Sequence, residues 1–139
     1  MSRILIIEEQ KKARKSLVSV FKRDGFEICD GIEWESAAEI VRKNVYDLIV
    51  VVLDEKPSVG YEMLKTIKIC SADAEIIAIV PPDRYGADQM VSYGVYDCIP
   101  KPVRQKDIVA MGKKALEKKQ LADKVRSLQQ IMDMDKLTL

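Results

Sequence analysis

Charged side chains that follow short apolar runs are the residues of this chain best placed to do chemistry. Two carboxylates, Glu8 and Glu9, come directly after an apolar run near the N-terminus. Asp54 follows the most apolar run of the chain, and Lys101 lies between two prolines. The chain has no histidine, which excludes catalytic triads, zinc sites and phosphotransfer that depend on histidine. The candidate chemistry therefore rests on carboxylates and a lysine.

The three cysteines, Cys29, Cys70 and Cys98, give no sign of a disulfide framework or a metal site. They are far apart, odd in number and without the CxxC spacing of thiolate ligands. We expect each to behave as a small buried apolar group in a reducing compartment.

Length and composition indicate one folded domain. The chain has 139 residues, of which 47% are hydrophobic and 32% charged, enough to bury a sizeable core. Lys and Arg number 23 against 22 Asp and Glu, so there is no overall basic excess of the kind that binds nucleic acid. The charge is uneven, however: residues 1–100 carry a net −4 and residues 101–126 a net +6.

The N-terminal apolar run is too short for a signal peptide, and no run approaches the length of a membrane span. The sequence therefore predicts a cytoplasmic protein that does not contact a membrane.

Apolar runs alternate with stretches of helical periodicity along the whole chain. Strands are predicted at residues 4–7, 26–29, 48–53, 76–80 and 96–99, and helices at 11–24, 35–43, 61–69, 83–93 and from 105 onward. This order predicts an α/β fold with a five-stranded parallel sheet, doubly wound with helices on both faces. Ligands of such folds bind at the carboxyl ends of the strands. Those ends are Glu8–Glu9, Leu53–Pro57, Val80–Pro82 and Pro100–Pro102.

Three fragments, in order on these elements, resemble one family. They are Ile4–Glu9, then Tyr46–Ile49 leading to Pro57 and Gly60, and then Tyr93–Asp97 leading to Lys101 and Pro102. Together they resemble the receiver domain of bacterial two-component response regulators, over roughly residues 2–118. The resemblance implies a flavodoxin-like fold and a role in phosphorelay signal transduction.

The family's chemistry assigns expected roles to several residues. An Asp ending the third strand accepts a phosphoryl group, an acidic pair holds Mg²⁺, and a Lys ending the fifth strand pairs with the phosphoryl oxygens. Glu8 and Glu9 stand at the acidic pair, where the longer Glu side chain predicts weakened Mg²⁺ binding, or simply a solvated acidic strand end. Lys101 matches the family's lysine, and the resemblance implies a cis peptide bond to Pro102.

The acceptor position is occupied by a residue without a nucleophile. In the family, the acceptor lies five residues after an Asp that opens the third strand and eight residues before a Gly of the following loop. Counted from Asp47 and from Gly60, both spacings place Val52 at the acceptor position without a gap. Asp54 lies two residues further on and serves as acceptor only if the strand is longer, and the loop shorter, by two residues. Otherwise Asp54 is a turn residue.

Other parts of the family's switch are also substituted. Ile79 and Val80 end the fourth strand, where the family has a Ser or Thr, and Pro81 and Pro82 stiffen the loop that follows. Cys98 replaces the aromatic residue of the fifth strand. Three substitutions at coupled positions indicate a site that no longer works as a phosphorylation switch.

The last helix continues beyond a domain that we place at residues 1–118. In the extension, residues 119–139, four apolar side chains follow a 4, 3, 4 spacing that begins a heptad pattern, Leu121, Val125, Leu128 and Met132. They predict a short coiled coil that forms a homodimer, or a stripe that packs on its own domain. The basic residues of this helix are expected to form a solvated face rather than a nucleic-acid site.

Two functions follow from the resemblance. The first is a degenerate receiver that binds a protein partner, such as a histidine kinase or an output domain, through the fourth helix, fifth strand and fifth helix. The second is a working receiver with Asp54 as phosphoacceptor and Mg²⁺ held by Glu8 and Glu9. We expect no enzymatic activity beyond self-phosphorylation and dephosphorylation in the second case. A small-molecule binder is disfavoured because acidic residues replace a glycine-rich loop after the first strand.

Overall fold

The computed structural model of the protein describes residues 2–53 and 56–138, with side chains described up to residue 134. Five strands and five helices alternate along the chain. The strands are β1 (Arg3–Ile7), β2 (Ile28–Ile32), β3 (Leu48–Val52), β4 (Glu75–Val80) and β5 (Asp97–Pro100). The helices are α1 (Lys11–Arg23), α2 (Trp34–Lys43), α3 (Pro57–Cys70), α4 (Ala87–Ser92) and α5 (Gln105–Thr138).

The strands form one parallel sheet in the order β2-β1-β3-β4-β5. The predicted five-stranded, doubly wound α/β fold is confirmed. The order reverses between β1 and β3, so the carboxyl ends of these two strands flank the crevice in which such folds bind ligands.

Successive residues of each central strand point into opposite cores, because side chains alternate across a sheet. Leu5, Ile7 and Ile49 join the core under α2, α3 and α4. Ile4 and Val52 join the core under α1 and α5. Burial on both faces explains why β1 and β3 are uninterrupted apolar runs.

The second strand lies later in the chain than predicted. Residues 26–29 were expected to form it, but Phe26 closes the end of α1: its N–H donates to the Phe21 carbonyl at 3.0 Å and the two rings meet edge to face. The strand runs instead through Asp30 and Gly31. Since β2 is an edge strand with one open side, it tolerates polar residues that a central strand would not.

Helices α3 and α4 begin at residues other than those predicted. Helix α3 begins at Pro57, four residues before the predicted start, because proline suits the first helical position. Helix α4 begins at Ala87 rather than at residue 83, since Asp83 has a positive φ of 60° that no helix accepts. The fifth strand begins and ends one residue later than predicted.

Helix α5 is one continuous helix that runs through the predicted boundary at residue 118. Its first turns pack on the sheet through Ile108 and Ala115. Gly112 allows this approach, since a Cβ there would lie 3.1 Å from side-chain atoms of Leu48 and Phe21. Within the described ranges, no helix is long and apolar enough to cross a membrane.

The two-sided core predicts a large contrast between two isoleucines. Ile49 in β3 is fully buried, whereas Ile69 in α3 is 73% exposed. We expect Ile49→Ala to lower the free energy of unfolding by about 2–5 kcal/mol, because it leaves a cavity. The control Ile69→Ala is expected to change it by less than about 0.5 kcal/mol. Urea unfolding followed by far-UV circular dichroism measures both, and equal losses would contradict the assigned packing.

Candidate functional site

The carboxyl ends of the strands enclose a small polar depression, which we call the strand-end hollow. It has a volume of about 240 Å³. Residues from three strand ends and from the start of α2 line it: Glu8, Glu9, Gln10, Trp34, Val52, Leu53 and Lys101. The structure thus brings together the acidic pair, the lysine and the valine that the sequence singled out, at the crevice expected for this topology.

The two acidic residues have different surroundings. Glu8 is only 8% exposed, and its backbone N–H donates to the Ile32 carbonyl at 3.0 Å, which extends the β1–β2 pairing by one residue. Glu9 is exposed, and its Oε2 accepts a hydrogen bond from the Trp34 backbone N–H at 3.3 Å. Trp34 is the first residue of α2, so Glu9 caps a helix from another part of the chain, where the helix dipole favours a negative charge.

Arg14 fixes the backbone that carries both carboxylates. Its Nη1 donates to the Glu8 carbonyl at 2.8 Å and to the Glu9 carbonyl at 3.3 Å. The side chain of Arg14 crosses Gly31, where a Cβ would lie 2.9 Å from the Arg14 Cγ. The glycine in β2 therefore leaves room for the arginine that positions the acidic pair.

Trp34 covers the end of the third strand. Its indole Nε1–H donates to the Val52 carbonyl at 3.1 Å, and the half-buried ring lines the hollow. Trp34 is the only tryptophan of the chain. One residue thus contacts two sides of the hollow, through its backbone to Glu9 and through its indole to β3.

Val52 forms an apolar wall of the hollow. It is 4% exposed and packs with the core under α1 and α5. It lines the hollow together with Glu8, Glu9 and Lys101. Asp54, the alternative acceptor, lies outside the described residues.

Lys101 reaches the hollow from the fifth strand. Its backbone N–H donates to the Val80 carbonyl at 2.8 Å, and the Lys101–Pro102 peptide bond is cis, as the resemblance implies. The exposed lysine also borders an apolar groove of about 570 Å³ between α1 and the segment that precedes α5. Glu8 and Val52 line this groove as well, so the two depressions are adjacent and share three lining residues, Glu8, Val52 and Lys101.

The donor chemistry of the hollow fits Mg²⁺ in part. Mg²⁺ takes one or two carboxylates and completes an octahedron with water and phosphate oxygens. Glu8 and Glu9 supply two carboxylates, although one oxygen of Glu9 already accepts the Trp34 N–H. Within the described ranges, no group of three His, Cys, Asp or Glu side chains is arranged to hold a metal ion. The residues present therefore offer Mg²⁺ few protein ligands.

The positions expected to report phosphorylation are apolar. Ile79 and Val80 at the end of β4 are buried. Cys98 is half-buried, and burial raises the pKa of its thiol, with the negative charge of Asp97 adding to the effect. None of these side chains carries a hydroxyl or an aromatic ring.

Tyrosines hold the loop that follows β4 against α3. The Tyr85 hydroxyl donates to the Lys56 carbonyl at 3.3 Å. The Tyr61 hydroxyl accepts from the Gly86 N–H at 3.4 Å and donates to the Gln89 side chain at 2.7 Å. Tyr61 also stacks on Tyr93, with ring centroids 4.9 Å apart. The loop is therefore anchored at several points.

Arg14 and Trp34 were not identified from the sequence. Both donate to backbone carbonyls, Arg14 to those of the nearby Glu8 and Glu9 and Trp34 to that of the distant Val52, a role that residue type does not reveal. The only available signal was a single tryptophan at a helix start, two residues after the second strand.

Residues 4–113 match the response regulator receiver domain family. No curated protein sequence matches the chain.

Several solved structures share the fold. NtrX from Brucella abortus, in complex with ADP, has a TM-score of 0.77 at 19% identity and covers 92% of this chain, which spans 29% of NtrX. A CheY-like receiver domain protein from Methanospirillum hungatei has a TM-score of 0.76 at 17% identity over 88% of this chain and 98% of its own. The beryllofluoride-activated NtrC4 receiver domain dimer has a TM-score of 0.72 at 21% identity, over 86% and 99%.

The indole hydrogen bond predicts a measurable contribution to stability. Trp34→Phe keeps an aromatic ring but leaves the Val52 carbonyl without its donor, so we expect a loss of about 1 kcal/mol in the free energy of unfolding. Tyr61→Phe, which removes a hydroxyl from exposed hydrogen bonds, is the matched control and is expected to cost less. Urea unfolding followed by circular dichroism compares them. A Trp34→Phe variant as stable as the parent would contradict the assigned bond.

Proposed function

Because this chain belongs to the response regulator receiver domain family, we propose that it is an atypical receiver, which signals in the cytoplasm by binding a protein partner rather than by aspartate phosphorylation. Two-component signal transduction is the setting of the family. The mode of action proposed here rests on the residues of the strand-end hollow.

The observation that carries the proposal is the location of Val52. A receiver requires a carboxylate nucleophile between its acidic pair and its lysine. In this chain, the side chain beside Glu8, Glu9 and Lys101 is an isopropyl group that packs into the core. A valine can neither attack a phosphoryl group nor bind a metal ion.

The surroundings of the hollow support the same proposal. The ends of β4 and β5 lack the hydroxyl and aromatic side chains that follow a phosphoryl group in the family. The β4–α4 loop, which moves in a phosphorylation switch, is held to α3 by Tyr61 and Tyr85. Trp34 and Arg14 give the β1 and β3 ends further main-chain anchors. These contacts favour one conformation of the hollow.

The surface formed by α4, β5 and α5 is the proposed contact face for a histidine kinase or an output domain. Val91 on α4 is 72% exposed and offers an apolar contact there. The two tyrosines of this region have partners within the chain, since Tyr93 stacks on Tyr61 and Lys118 lies over the Tyr96 ring. Exposed apolar side chains, rather than these tyrosines, are therefore the proposed contacts.

Mg²⁺ has at most a minor role in this proposal. When bound, the ion would neutralise charge on a phosphoryl group. Glu8 and Glu9 are the residues that would hold it, and binding is expected to be weak because Glu9 also caps α2. The hydrogen bond from the Trp34 N–H withdraws part of the Glu9 carboxylate from an incoming cation.

The first prediction concerns the parent chain. Incubated with Mg²⁺ and acetyl phosphate, it should keep its intact mass, because Val52 offers no nucleophile. Intact-mass spectrometry measures this, with a phosphorylatable receiver domain as the positive control. A single phosphoryl adduct that disappears in Asp54→Ala would contradict the proposal and establish Asp54 as the acceptor.

The second prediction restores the missing group. Val52→Asp places a carboxylate between Glu8, Glu9 and Lys101, so acetyl phosphate should add one phosphoryl group in the presence of Mg²⁺. Val52→Asn has nearly the same shape without a nucleophile and should remain unmodified. Circular dichroism establishes that both variants are folded. A folded Val52→Asp variant that gains no adduct would mean that Val52 does not occupy the acceptor position.

A further inference from the structure

We propose that the strand-end hollow and the adjacent apolar groove together bind a free apolar α-amino acid, such as leucine or phenylalanine, as a zwitterion. The ammonium group of the ligand faces Glu8, its carboxylate faces Lys101, and its side chain lies in the groove. This binding goes beyond the protein-binding role proposed above and would supply that role with a chemical signal. Its test is ligand binding, so its failure can be told apart from failure of the phosphoryl-transfer predictions.

Glu8 is a buried acidic residue whose carboxylate has no partner. The residue is only 8% exposed. Its backbone is paired with Ile32 and Arg14, but no side-chain hydrogen bond or ion pair among the residues that the structure describes reaches its carboxylate. Buried charges are normally paired or hydrogen-bonded, so this carboxylate is suited to a cationic ligand group.

The Glu8 carboxylate opens into the two depressions. In the part of the chain that the structure describes, no side chain has a nitrogen or oxygen that is both fully enclosed and without a hydrogen-bond partner. The unpaired oxygens of Glu8 must therefore reach open space, and Glu8 lines both the hollow and the groove. A positively charged group of a ligand would meet the carboxylate there.

Lys101 supplies the opposite charge at the same place. Its exposed side chain lines both depressions, and it takes part in none of the ion pairs between described residues. Glu8 and Lys101 thus border the same space without pairing with each other. A ligand that carries a positive and a negative group on one carbon atom can pair with both, through charge-assisted hydrogen bonds.

Ligands of a single charge suit this site less well. Glu8 and Glu9 repel an anion, which is the reason that acidic residues after β1 disfavour ligands containing phosphate. Lys101 repels a simple cation, and the Glu9 carboxylate already accepts the Trp34 N–H. A zwitterion places each of its charged groups beside the residue of opposite sign.

The groove accommodates an apolar side chain. Its volume of about 570 Å³ lies in the range of small-molecule sites, which are lined mainly by apolar side chains with a few polar groups that set orientation. The apolar lining comes from α1, from the end of β4 and from the segment before α5: Ala13, Leu17, Ile79, Pro102 and Val103.

A hydrogen bond joins the two sides of the groove. Gln105, the first residue of α5, donates from Nε2 to Oγ of Ser16 in α1 at 2.7 Å, and both residues line the groove. The groove is therefore formed before a ligand arrives, which lowers the cost of ordering it on binding.

The residues shared by the two depressions connect the charged groups of the ligand to its side chain. Glu8, Val52 and Lys101 line both. An α-amino acid carries its ammonium, its carboxylate and its side chain on one carbon atom. With that carbon over Val52, the charged groups meet Glu8 and Lys101 while the side chain enters the groove. A terminal residue of a peptide carries only one of the two charges, so a free amino acid is the class that fits.

Chemical-shift titration of the ¹⁵N-labelled full chain, in buffer without divalent ions, measures this binding. The indole resonance of Trp34 reports on the hollow, which Trp34 lines. L-Leucine should shift it saturably. N-Acetyl-L-leucine lacks the ammonium group and L-leucinamide lacks the carboxylate, so each should bind about tenfold more weakly or worse. Glycine, which has both charges but no side chain, should also bind more weakly than leucine. No saturable shift with L-leucine or L-phenylalanine, or equal affinity for N-acetyl-L-leucine, would overturn the proposal.

Variants of the two charged residues test the assigned contacts. Glu8→Gln and Lys101→Gln each remove one charge, and each should raise the Kd of L-leucine about tenfold or more. The matched controls Glu62→Gln and Lys65→Gln remove the same charges from exposed positions on α3 and should bind as the parent does. Circular dichroism establishes that all four variants are folded. Folded Glu8→Gln and Lys101→Gln variants that bind L-leucine as tightly as the parent would refute the assigned contacts.

Discussion

Burial of β1 and β3 on both faces is the constraint on which the rest of this structure depends. A central parallel strand has no solvent-facing side, so each residue along it must be apolar. Polar side chains that could bind a ligand must therefore lie at the strand ends, where Glu8 and Lys101 line the same hollow. Val52, the last residue of β3, completes the core layer under α1 and α5.

The polar groups around the hollow are largely engaged in holding the fold. Arg14 binds the carbonyls of the β1–α1 loop, Glu9 caps α2, and the Trp34 indole donates to the end of β3. The two contacts of Trp34 join segments that are distant in sequence, so the hollow is a junction between the end of β1, the start of α2 and the end of β3. The long α5, held by ion pairs at the opposite end of the sheet, presents a second surface with its own apolar side chains.

The sequence predicted the fold well because its signals were local and strong. The runs at residues 4–7 and 48–53 and the order of elements led to the correct sheet. The resemblance to the family directed attention to Glu8, Val52 and Lys101, which line the same hollow. The prediction failed where tertiary context decides: Phe26 closes a helix instead of starting a strand, and Asp83 adopts a left-handed turn. Arg14 and Trp34 were missed because their partners are backbone carbonyls, of the loop before α1 for Arg14 and of β3 for Trp34. Heptad spacing identified the apolar side chains of the α5 extension, whereas the face of α5 that packs on the domain became evident only from the burial of Ile108 and Ala115 in the structure.

The most direct test of whether the hollow holds a working phosphoacceptor uses the single indole N–H of the chain. Trp34 gives one indole resonance in a ¹H–¹⁵N spectrum. Its indole N–H donates to the carbonyl of Val52, the residue at the proposed acceptor position. Beryllofluoride, which mimics a phosphoryl group on an aspartate, is added to protein that already contains Mg²⁺. We expect the Trp34 resonance to stay at its Mg²⁺-bound position in the parent, but to shift in Val52→Asp. A saturable shift in the parent would mean that a working acceptor is present, and would contradict the proposal that this receiver acts without aspartate phosphorylation.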